Sequence, residues 1–461
     1  MIQRLTGRLS QFRIPVLCCV LASIVAPAGA QLSLDLSTTR AQYLVDEFLY
    51  VTITMTNVGS TDTPFTRFLQ PDVGIVTFEI MTPDGQTHAY EPRGRASLSK
   101  GAPERSILWL APGGHYTASV DLSYEMSRVP GKAAATYLGD AGVVKALPWE
   151  ELRPTMVLSA PGEYSIRACY VIPAGWPLEP ITLWSDELHV SVTEPTGQDL
   201  VAYSVIQMSP YDEDREEPWN AAAEEAEYYE RMIRDYPTSI YARYACWSLG
   251  SIRGLAGSHY LRGTPEASGL IEDSVDLFLS VARDTGQEPF GLRATEAAAK
   301  ALAAIGCNTE AQALLGDAFV WPTTTDSDRT RLLASMDHIE TGYFRRSWGT
   351  ASGSAGTQPL LPLRAFATAL GYSVDWAATS NTATVSSRRV KAGIRPGRND
   401  MTVNGVRLVG IRASLQDGRI LVSPSVIATL MAAHYGKGME SAFPPQMIAR
   451  AENGEQSRAL P

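Results

Sequence analysis

The chain has 461 residues, which is too long for one ordinary domain and suits about three. Hydrophobic residues make up 45% and charged residues 19%, so most of the chain should fold around packed cores. The formal net charge of −10 and the pI near 5.3 argue against a nucleic-acid-binding protein that depends on counterion release.

Residues 1–30 have the three-part pattern of a secretory signal peptide. Three arginines precede an apolar stretch over residues 14–26, and small residues follow at Ala28 and Ala30. A signal peptidase accepts such residues, so we expect cleavage after Ala30 and a secreted, extracellular or periplasmic product. An uncleaved anchor is the alternative, but the apolar stretch is short for a membrane span of about 20 residues.

Residues 31–195 show the period of a β protein. Apolar and polar residues alternate over residues 49–56 and 116–122, and Gly/Pro turns separate these runs. Many short strands between such turns favour an all-β antiparallel sandwich.

The end of this region contains a turn at Gly162 followed by a strand that begins with Tyr164. This segment resembles the last two strands of bacterial immunoglobulin-like domains, in which a tyrosine at this place ties the corner through its hydroxyl. The resemblance implies an immunoglobulin-like β-sandwich and a structural role for Tyr164.

Residues 199–321 change to a helical period. An aromatic-led helix, a proline turn and an alanine-rich helix follow one another, and the pattern recurs with Tyr229 corresponding to Phe278. This arrangement is similar to tetratricopeptide repeats, although their period of about 34 residues requires an insertion near residues 257–269 here. An α-helical repeat segment of this kind typically presents a groove to a peptide or partner.

The rest of the chain divides into a linker, a module and a tail. Residues 322–358 are polar and end in a Gly/Ser/Ala run, which predicts a flexible linker. We therefore expect residues 359–436 to form a small module that folds alone, followed by a polar tail over residues 437–461.

Within residues 359–436 the elements follow a recognisable order. Leu361 to Arg364 opens a short helix, a Val-Asp-Trp strand ends at Trp376, and Asn404-Gly405 predicts a tight turn before the second helix. This order resembles the copper amine oxidase N-terminal-like domain, a small stalk module often appended to secreted bacterial proteins. The resemblance implies a small α+β fold and an accessory role rather than an oxidase.

Arg364 and Trp376 are the structural or contact candidates in this module. At a helix start a cation gains nothing from the helix dipole, so Arg364 should pair with an acid or with strand-end carbonyls. Asp375 is the candidate acid, and a partly buried pair predicts a cost of about 1–3 kcal/mol for Arg364→Ala.

No catalytic residue, cofactor or metal site is predicted. The six histidines share no metal-ligand spacing, and none accompanies a nucleophile motif. A copper site needs several histidines, whereas the C-terminal module has only His434. Cys169, Cys246 and Cys307 are too widely spaced for a disulfide framework and are expected to be buried thiols.

These observations favour a secreted or periplasmic, non-catalytic binding or scaffold protein of the bacterial cell envelope. Its partner would be a protein or a cell-envelope polymer. The alternative is an inhibitor or regulator of an extracellular hydrolase that uses the loop around Trp176 as its contact; an accessory subunit of an envelope enzyme is a third possibility.

Overall fold

The computed structural model describes residues 31–92, 106–126, 154–173, 176–207, 218–260, 264–340, 360–436, 439, 443 and 450–451. The predicted signal peptide lies outside the described residues. The chain is a mixed, multidomain protein with a β-rich N-terminal part, a helical middle part and a small α+β C-terminal part.

Two larger sheets build the N-terminal part. One has the strand order β1-β3-β8, and the other β2-β13-β11-β5-β6 with β12 also paired to β11. Neighbouring strands are antiparallel except β2 and β13. The strands are Leu32–Ser37 (β1), Gln42–Leu44 (β2), Tyr50–Asn57 (β3), Thr63–Thr66 (β4), Val76–Met81 (β5), Thr87–Ala89 (β6), Ile107–Leu110 (β7), His115–Asp121 (β8), Tyr124–Met126 (β9), Pro154–Met156 (β10), Gly162–Ile172 (β11), Ile181–Trp184 (β12) and Leu188–Thr193 (β13).

The predicted alternation places side chains on the two faces of these sheets. In β3, Val51, Ile53 and Met55 are fully buried, and they share one hydrophobic core with Phe78 of β5 and Ile166 of β11. Because successive strand residues point to opposite faces, the residues between them face away from this core.

Helices make up the middle part, and each helix from α2 to α6 packs against the next one in the chain. Gly250 lets α3 approach α4 closely, since a Cβ at this position would lie 3.0 Å from the Phe278 ring. A single π-helical turn, Ala256–Tyr260, occupies part of the predicted insertion. The helices are Gly197–Gln207 (α1), Pro218–Asp235 (α2), Ile240–Leu255 (α3), Pro265–Thr285 (α4), Pro289–Ile305 (α5), Asn308–Phe319 (α6) and Asp326–Glu340 (α7).

The C-terminal part combines two sheets with two helices. Its larger sheet has the order β15-β16-β17-β18-β19-β22, and its smaller sheet β14-β21-β20. Asn404 and Gly405 have φ angles of 50° and 85°, which suits the predicted tight turn between β18 and β19. The elements are Leu361–Pro362 (β14), Leu363–Ala369 (α8), Ser373–Ala377 (β15), Thr382–Ser386 (β16), Lys391–Ile394 (β17), Asp400–Val403 (β18), Val406–Val409 (β19), Ala413–Gln416 (β20), Arg419–Val422 (β21), Pro424–Tyr435 (α9) and Arg450–Ala451 (β22).

The predicted linker over residues 322–358 is wrong for residues 326–340, which form α7. Thr325 and Asp328 cap its start reciprocally: the Asp328 N–H donates to Thr325 Oγ1 at 3.2 Å, and Thr325 Oγ1 donates to Asp328 Oδ2 at 2.6 Å. Leu332, Leu333 and Met336 are then fully buried. The segment is polar on average, so its composition did not indicate that these three apolar side chains lie on one face of a helix and pack into the core.

Helix α7 contacts all three parts of the chain. The Asp326 carboxylate accepts from the Thr117 N–H of β8 at 2.9 Å, and Thr330 Oγ1 lies 3.6 Å from Met439 Sδ. The same helix packs against α5, α6 and α9. The expectation that the C-terminal module is an independent body is therefore not supported by the fold.

Direct contacts also join the C-terminal part to the other two. The Arg389 guanidinium donates to the Trp109 carbonyl of β7 at 2.6 Å and forms an ion pair with Asp62. The Phe319 and Phe366 rings stack with centroids 4.5 Å apart. One continuous hydrophobic core thus includes residues from all three parts.

The predicted polar tail over residues 437–461 also needs correction. Met439 and Phe443 are 0% and 5% exposed and belong to the common core. Strand β22 pairs with β19 at the edge of the larger C-terminal sheet. At least these residues of the tail are part of the folded structure, since apolar side chains within a polar segment still gain from burial.

Candidate functional site

Tyr164 lies on the inner face of β11 and is 1% exposed. Its hydroxyl accepts from the Ala160 N–H and donates to the Ala160 carbonyl, both at 3.0 Å. The side chain thereby closes the turn that precedes its own strand. This geometry is the one expected for a structural corner tyrosine and leaves no exposed surface for a ligand.

The two predicted tryptophans differ in exposure. Trp176 is half-buried against the common core, whereas Trp376 is 38% exposed on β15. Residues 174–175 of the predicted contact loop lie outside the described residues. The structure does not bring the two tryptophans together, since they belong to the N-terminal and C-terminal parts respectively.

Arg364 is exposed, and the prediction that Asp375 pairs with it is not supported. Its Nη2 lies 3.5 Å from the carbonyl oxygen of Val374, whose strand β15 is an edge of the sheet. Asp375 is also exposed. Of the two partners expected for Arg364, an acid or a strand carbonyl, the structure places a strand carbonyl nearby, because the first turn of α8 lies beside the edge strand β15.

A small cavity lies between the N-terminal and helical parts. Arg40, Glu47, Tyr244, Glu288 and Phe290 contribute to its wall, and its volume of about 20 Å³ suits one water molecule. The Arg40 guanidinium lies 2.5 Å from Glu47 Oε1 and 3.8 Å from Glu288 Oε2. An organic ligand needs a far larger space than this cavity provides. The ion pairs of Arg40 with Glu47 and Glu288 therefore connect the two parts of the chain and do not form a substrate site.

A second charged group is buried between α5 and α7. Glu296 is 3% exposed and accepts from Arg331 Nε at 2.5 Å, and Lys300 Nζ lies 2.8 Å from the same carboxylate. Burial opposes ionisation of Glu296, but Arg331 and Lys300 outweigh it and lower its pKa to about 2. The paired charges make this group a structural connection between helices.

The outer face of the larger N-terminal sheet carries an exposed aromatic residue. Trp184 is 44% exposed, and the Arg167 guanidinium lies 4.8 Å from its ring centroid. Register places Glu79 opposite Arg167, and places Cys169 between Trp184 and Thr77. We call Trp184, Arg167, Glu79 and Thr77 the aromatic face.

The chemistry of the aromatic face is that of binding. Trp184 offers an apolar ring, whereas Arg167 and Glu79 offer a donor and an acceptor beside it. Burial raises the pKa of the Cys169 thiol, and Glu79 adds to this shift. The thiol therefore stays protonated at neutral pH and is a poor nucleophile.

Metal binding has no support in the described part of the chain, where no group of three or more His, Cys, Asp or Glu side chains is placed to hold an ion. Among those same residues, no helix combines the length and the apolar character needed to cross a membrane. Burial also raises the pKa of Cys246, to about 11, so this thiol is protonated as well.

The sequence predictions missed the aromatic face. Alternation along β11 does place Arg167 outward, because Ile166 and Ala168 are buried. It cannot place Trp184 beside Arg167, since that neighbourhood depends on the register between β11 and β12.

Comparison with known proteins yields distant likenesses. No curated protein matches the chain. Two structures of a Listeria innocua β-glucosidase, in complex with gluconolactone and with isofagomine, are 10% identical and have a TM-score of 0.17. They match 35% and 36% of this chain and 16% of their own length.

A structure of a Salmonella alpha-2-macroglobulin mutant is 11% identical, with a TM-score of 0.18, and matches 74% of this chain and 24% of its own. The chain thus spans less than a quarter of the length of these solved structures, and such scores carry no argument about fold or function.

The C-terminal part gives a specific match. The family model of the copper amine oxidase N-terminal domain, a non-catalytic domain, matches residues 354–437. These residues include α8, the turn at Asn404 and α9, the elements on which the sequence resemblance rested. The match covers under a fifth of the chain. The C-terminal part is therefore similar to the copper amine oxidase N-terminal domain, as the sequence resemblance predicted.

Proposed function

We propose that this chain is an exported bacterial protein that binds a protein or polymer of the cell envelope and catalyses no reaction. The observation that carries the proposal is the aromatic face, where an exposed Trp184 ring is held by the Arg167 guanidinium. Tryptophan and arginine are enriched among the residues that dominate binding energy. A ring that is already fixed loses little conformational entropy when a partner covers it.

Export is supported by the signal-peptide pattern of residues 1–30. The C-terminal module supports an accessory role, because the matched family is an N-terminal domain and not a catalytic one. Helix α7 joins the three parts through contacts with β8, α5, α6 and α9. A body of this kind can hold two binding surfaces at a set separation, which suits a scaffold.

We also propose a finer classification of the first two parts. The corner formed by Tyr164 and Ala160 supports an immunoglobulin-like arrangement of the N-terminal sheets. Packing of each helix from α2 to α6 against the next one in the chain supports a tetratricopeptide-like array over residues 199–321.

Binding to isolated envelope fractions tests the proposal. Purified protein is mixed with washed envelopes and the bound fraction is measured by sedimentation. Trp184→Ala should weaken binding by at least about tenfold, as expected for a dominant contact. Trp109→Ala is the matched control, because Trp109 is also 44% exposed but lies on β7.

Two outcomes would contradict the proposal. One is wild-type protein that stays in the supernatant at all concentrations of envelope. The other is equal loss of binding in the two tryptophan variants. Mass analysis of the exported protein should find Gln31 at its N-terminus, and recovery of the intact start at Met1 would contradict cleavage.

A further inference from the structure

Charge is distributed very unevenly between the parts of this acidic protein. Residues 360–436 contain nine Lys and Arg against three Asp and Glu, a net charge of +6. Residues 31–359 contain 24 Lys and Arg against 43 Asp and Glu, a net charge of −19. The C-terminal part therefore carries a field of the opposite sign and attracts anions that the rest of the chain repels.

Four of these cations gather at one place on the surface. The Gly397 N–H donates to the Ala413 carbonyl at 2.8 Å, and the Gly410 N–H donates to the Asn399 carbonyl at 3.1 Å. These bonds hold the loop between β17 and β18 against the start of β20. Arg398 and Arg412 are chain neighbours of these bonded residues, and Arg395 and Arg407 share Asp400; we call these four arginines the basic cluster.

All four arginines of the basic cluster are exposed. Asp400, which is 5% exposed, anchors two of them: its Oδ2 accepts from Arg407 Nε at 2.5 Å and lies 3.8 Å from Arg395 Nη2. The other acids of the module lie elsewhere, Asp375 on the edge strand β15 and Asp417 in the turn after β20. The basic cluster thus keeps a local excess of positive charge, in a partly fixed arrangement.

The kind of cation indicates the kind of anion. Eight of the nine cations in residues 360–436 are arginines. The planar guanidinium presents two parallel N–H donors that match the oxygens of a phosphate, whereas a lysine ammonium acts as a point charge. Arginine also supplies 20 of the 24 cations in residues 31–359, so the C-terminal part is distinguished by its excess of cations, and their arginine character suits a phosphate partner.

We propose that the basic cluster binds a phosphate-bearing polymer of the cell envelope. This inference rests on the proposed function, because it adds a second envelope-binding surface to the one at the aromatic face and names the class of partner that this second surface binds. Repeated phosphates along a polymer can engage several arginines at once, so binding gains from effective concentration. The acidic parts of the chain repel such a polymer. Contact with the polymer is therefore confined to the C-terminal part.

Titration calorimetry of the full purified chain with inorganic polyphosphate tests the inference. The double variant Arg398→Gln/Arg412→Gln removes two exposed cations of the basic cluster and spares both partners of Asp400. We expect it to weaken binding at least about tenfold, since hydrogen bonds to charged groups contribute strongly. The matched control is Lys391→Gln/Arg419→Gln, which changes the net charge equally at exposed positions outside the cluster.

The control variant should bind within about twofold of wild type, and wild-type binding should weaken as salt rises. Equal losses in the two double variants would mean attraction by net charge and would overturn the inference. Equal or tighter binding to polyglutamate, to vesicles rich in phosphatidylglycerol, or to single-stranded DNA would also overturn it. If polyphosphate binding fails while envelope binding still depends on Trp184, the proposed function stands without this inference.

Discussion

Two buried glutamates at two contacts of this protein have opposite protonation behaviour. Glu47 is 1% exposed at the contact between the N-terminal and helical parts, and Glu296 is 3% exposed between α5 and α7. Burial raises the pKa of Glu47 despite Arg40 and the Leu44 N–H, whereas Arg331 and Lys300 together outweigh burial and lower that of Glu296. Nearly equal burial therefore does not decide the charge of a carboxyl group; the number of cations fixed beside it does.

The two glutamates also differ in how many partners hold them. The Glu296 carboxylate receives Arg331, Lys300 and the Ser335 hydroxyl, the last at 3.1 Å, so both of its oxygens are paired. Arg331 also lies 2.9 Å from Asp328, which is in the first turn of α7. Breaking this network at Glu296 would remove the buried carboxylate that pairs with both Arg331 and Lys300 and would leave Arg331, 27% exposed, with Asp328 as a partner; such losses are large.

The largest expected effect comes from removing the negative charge at each contact in turn. Glu296→Gln should lower the free energy of unfolding by about 3 kcal/mol or more, because Arg331 loses its main partner. Glu47→Gln should change the free energy of unfolding by less than about 1 kcal/mol, because the raised pKa of Glu47 means that its ionised form gains little over a neutral side chain of the same shape. Denaturant unfolding of both variants measures this difference.

Glu310→Gln serves as the control, since Glu310 is exposed on α6 and should change stability by less than about 0.5 kcal/mol. Equal costs for Glu47→Gln and Glu296→Gln would show that burial alone governs both contacts and would remove the distinction between them.

The pH dependence should separate the two groups by sign. A depressed folded pKa contributes stability that is present above the unfolded value of 4.5 and is lost as pH falls toward about 2. The stability difference between wild type and Glu296→Gln should therefore shrink by about 3 kcal/mol over that window. The raised pKa of Glu47 has the opposite effect: its contribution is present below 4.5 and declines as pH rises through the folded value.

Unfolding midpoints of wild type and both variants, taken from pH 7 downward, measure these slopes. Parallel pH profiles for wild type and Glu296→Gln would contradict an ionised Glu296, and parallel profiles for Glu47→Gln would contradict its raised pKa.

The smallest effect is expected at a contact without a buried charge. Arg364 is exposed and reaches only the Val374 carbonyl at 3.5 Å, so Arg364→Ala should change stability by less than about 0.5 kcal/mol. This replaces the larger cost that a partly buried pair with Asp375 would imply.

Arg389→Ala is the matched comparison in the same module. Arg389 donates to the Trp109 and His434 carbonyls, at 2.6 and 3.1 Å, and pairs with Asp62. Arg389→Ala should lower the free energy of unfolding by about 1–3 kcal/mol, because two carbonyl acceptors lose a charged donor. Thermal melts of the full chain measure both effects. A larger drop in melting temperature for Arg364→Ala than for Arg389→Ala would contradict this order.

Local patterns in the sequence determined the local structure correctly. Alternation predicted the burial of Val51, Ile53 and Met55 in β3, and Asn404-Gly405 predicted a tight turn. The order of short elements after residue 359 predicted the family resemblance, which the match over residues 354–437 confirms. These signals depend on residues within about one turn or one strand of each other, where steric and hydrogen-bonding preferences act directly.

Charge could also have been counted from the sequence alone. The nine cations and three acids of residues 360–436 are visible there, and so is the Thr325-x-x-Asp328 spacing that caps α7. The residues around this spacing are mostly polar, so the start of a helix there was not recognised. The gathering of Arg398 and Arg412 could not be read in this way, since it depends on bonds between the Asn399 region and the start of β20.

By itself, the sequence determined the three successive periods of this protein: strand, helix, and a mixed module with a known order of elements. Tertiary structure alone decided that α7 packs against all three parts, that Trp184 lies over Arg167, and that Glu47 and Glu296 differ in pKa. The physical reason is the range of the interactions. Backbone and side-chain preferences act between chain neighbours, whereas burial, sheet register and ion pairing depend on residues that only folding brings together.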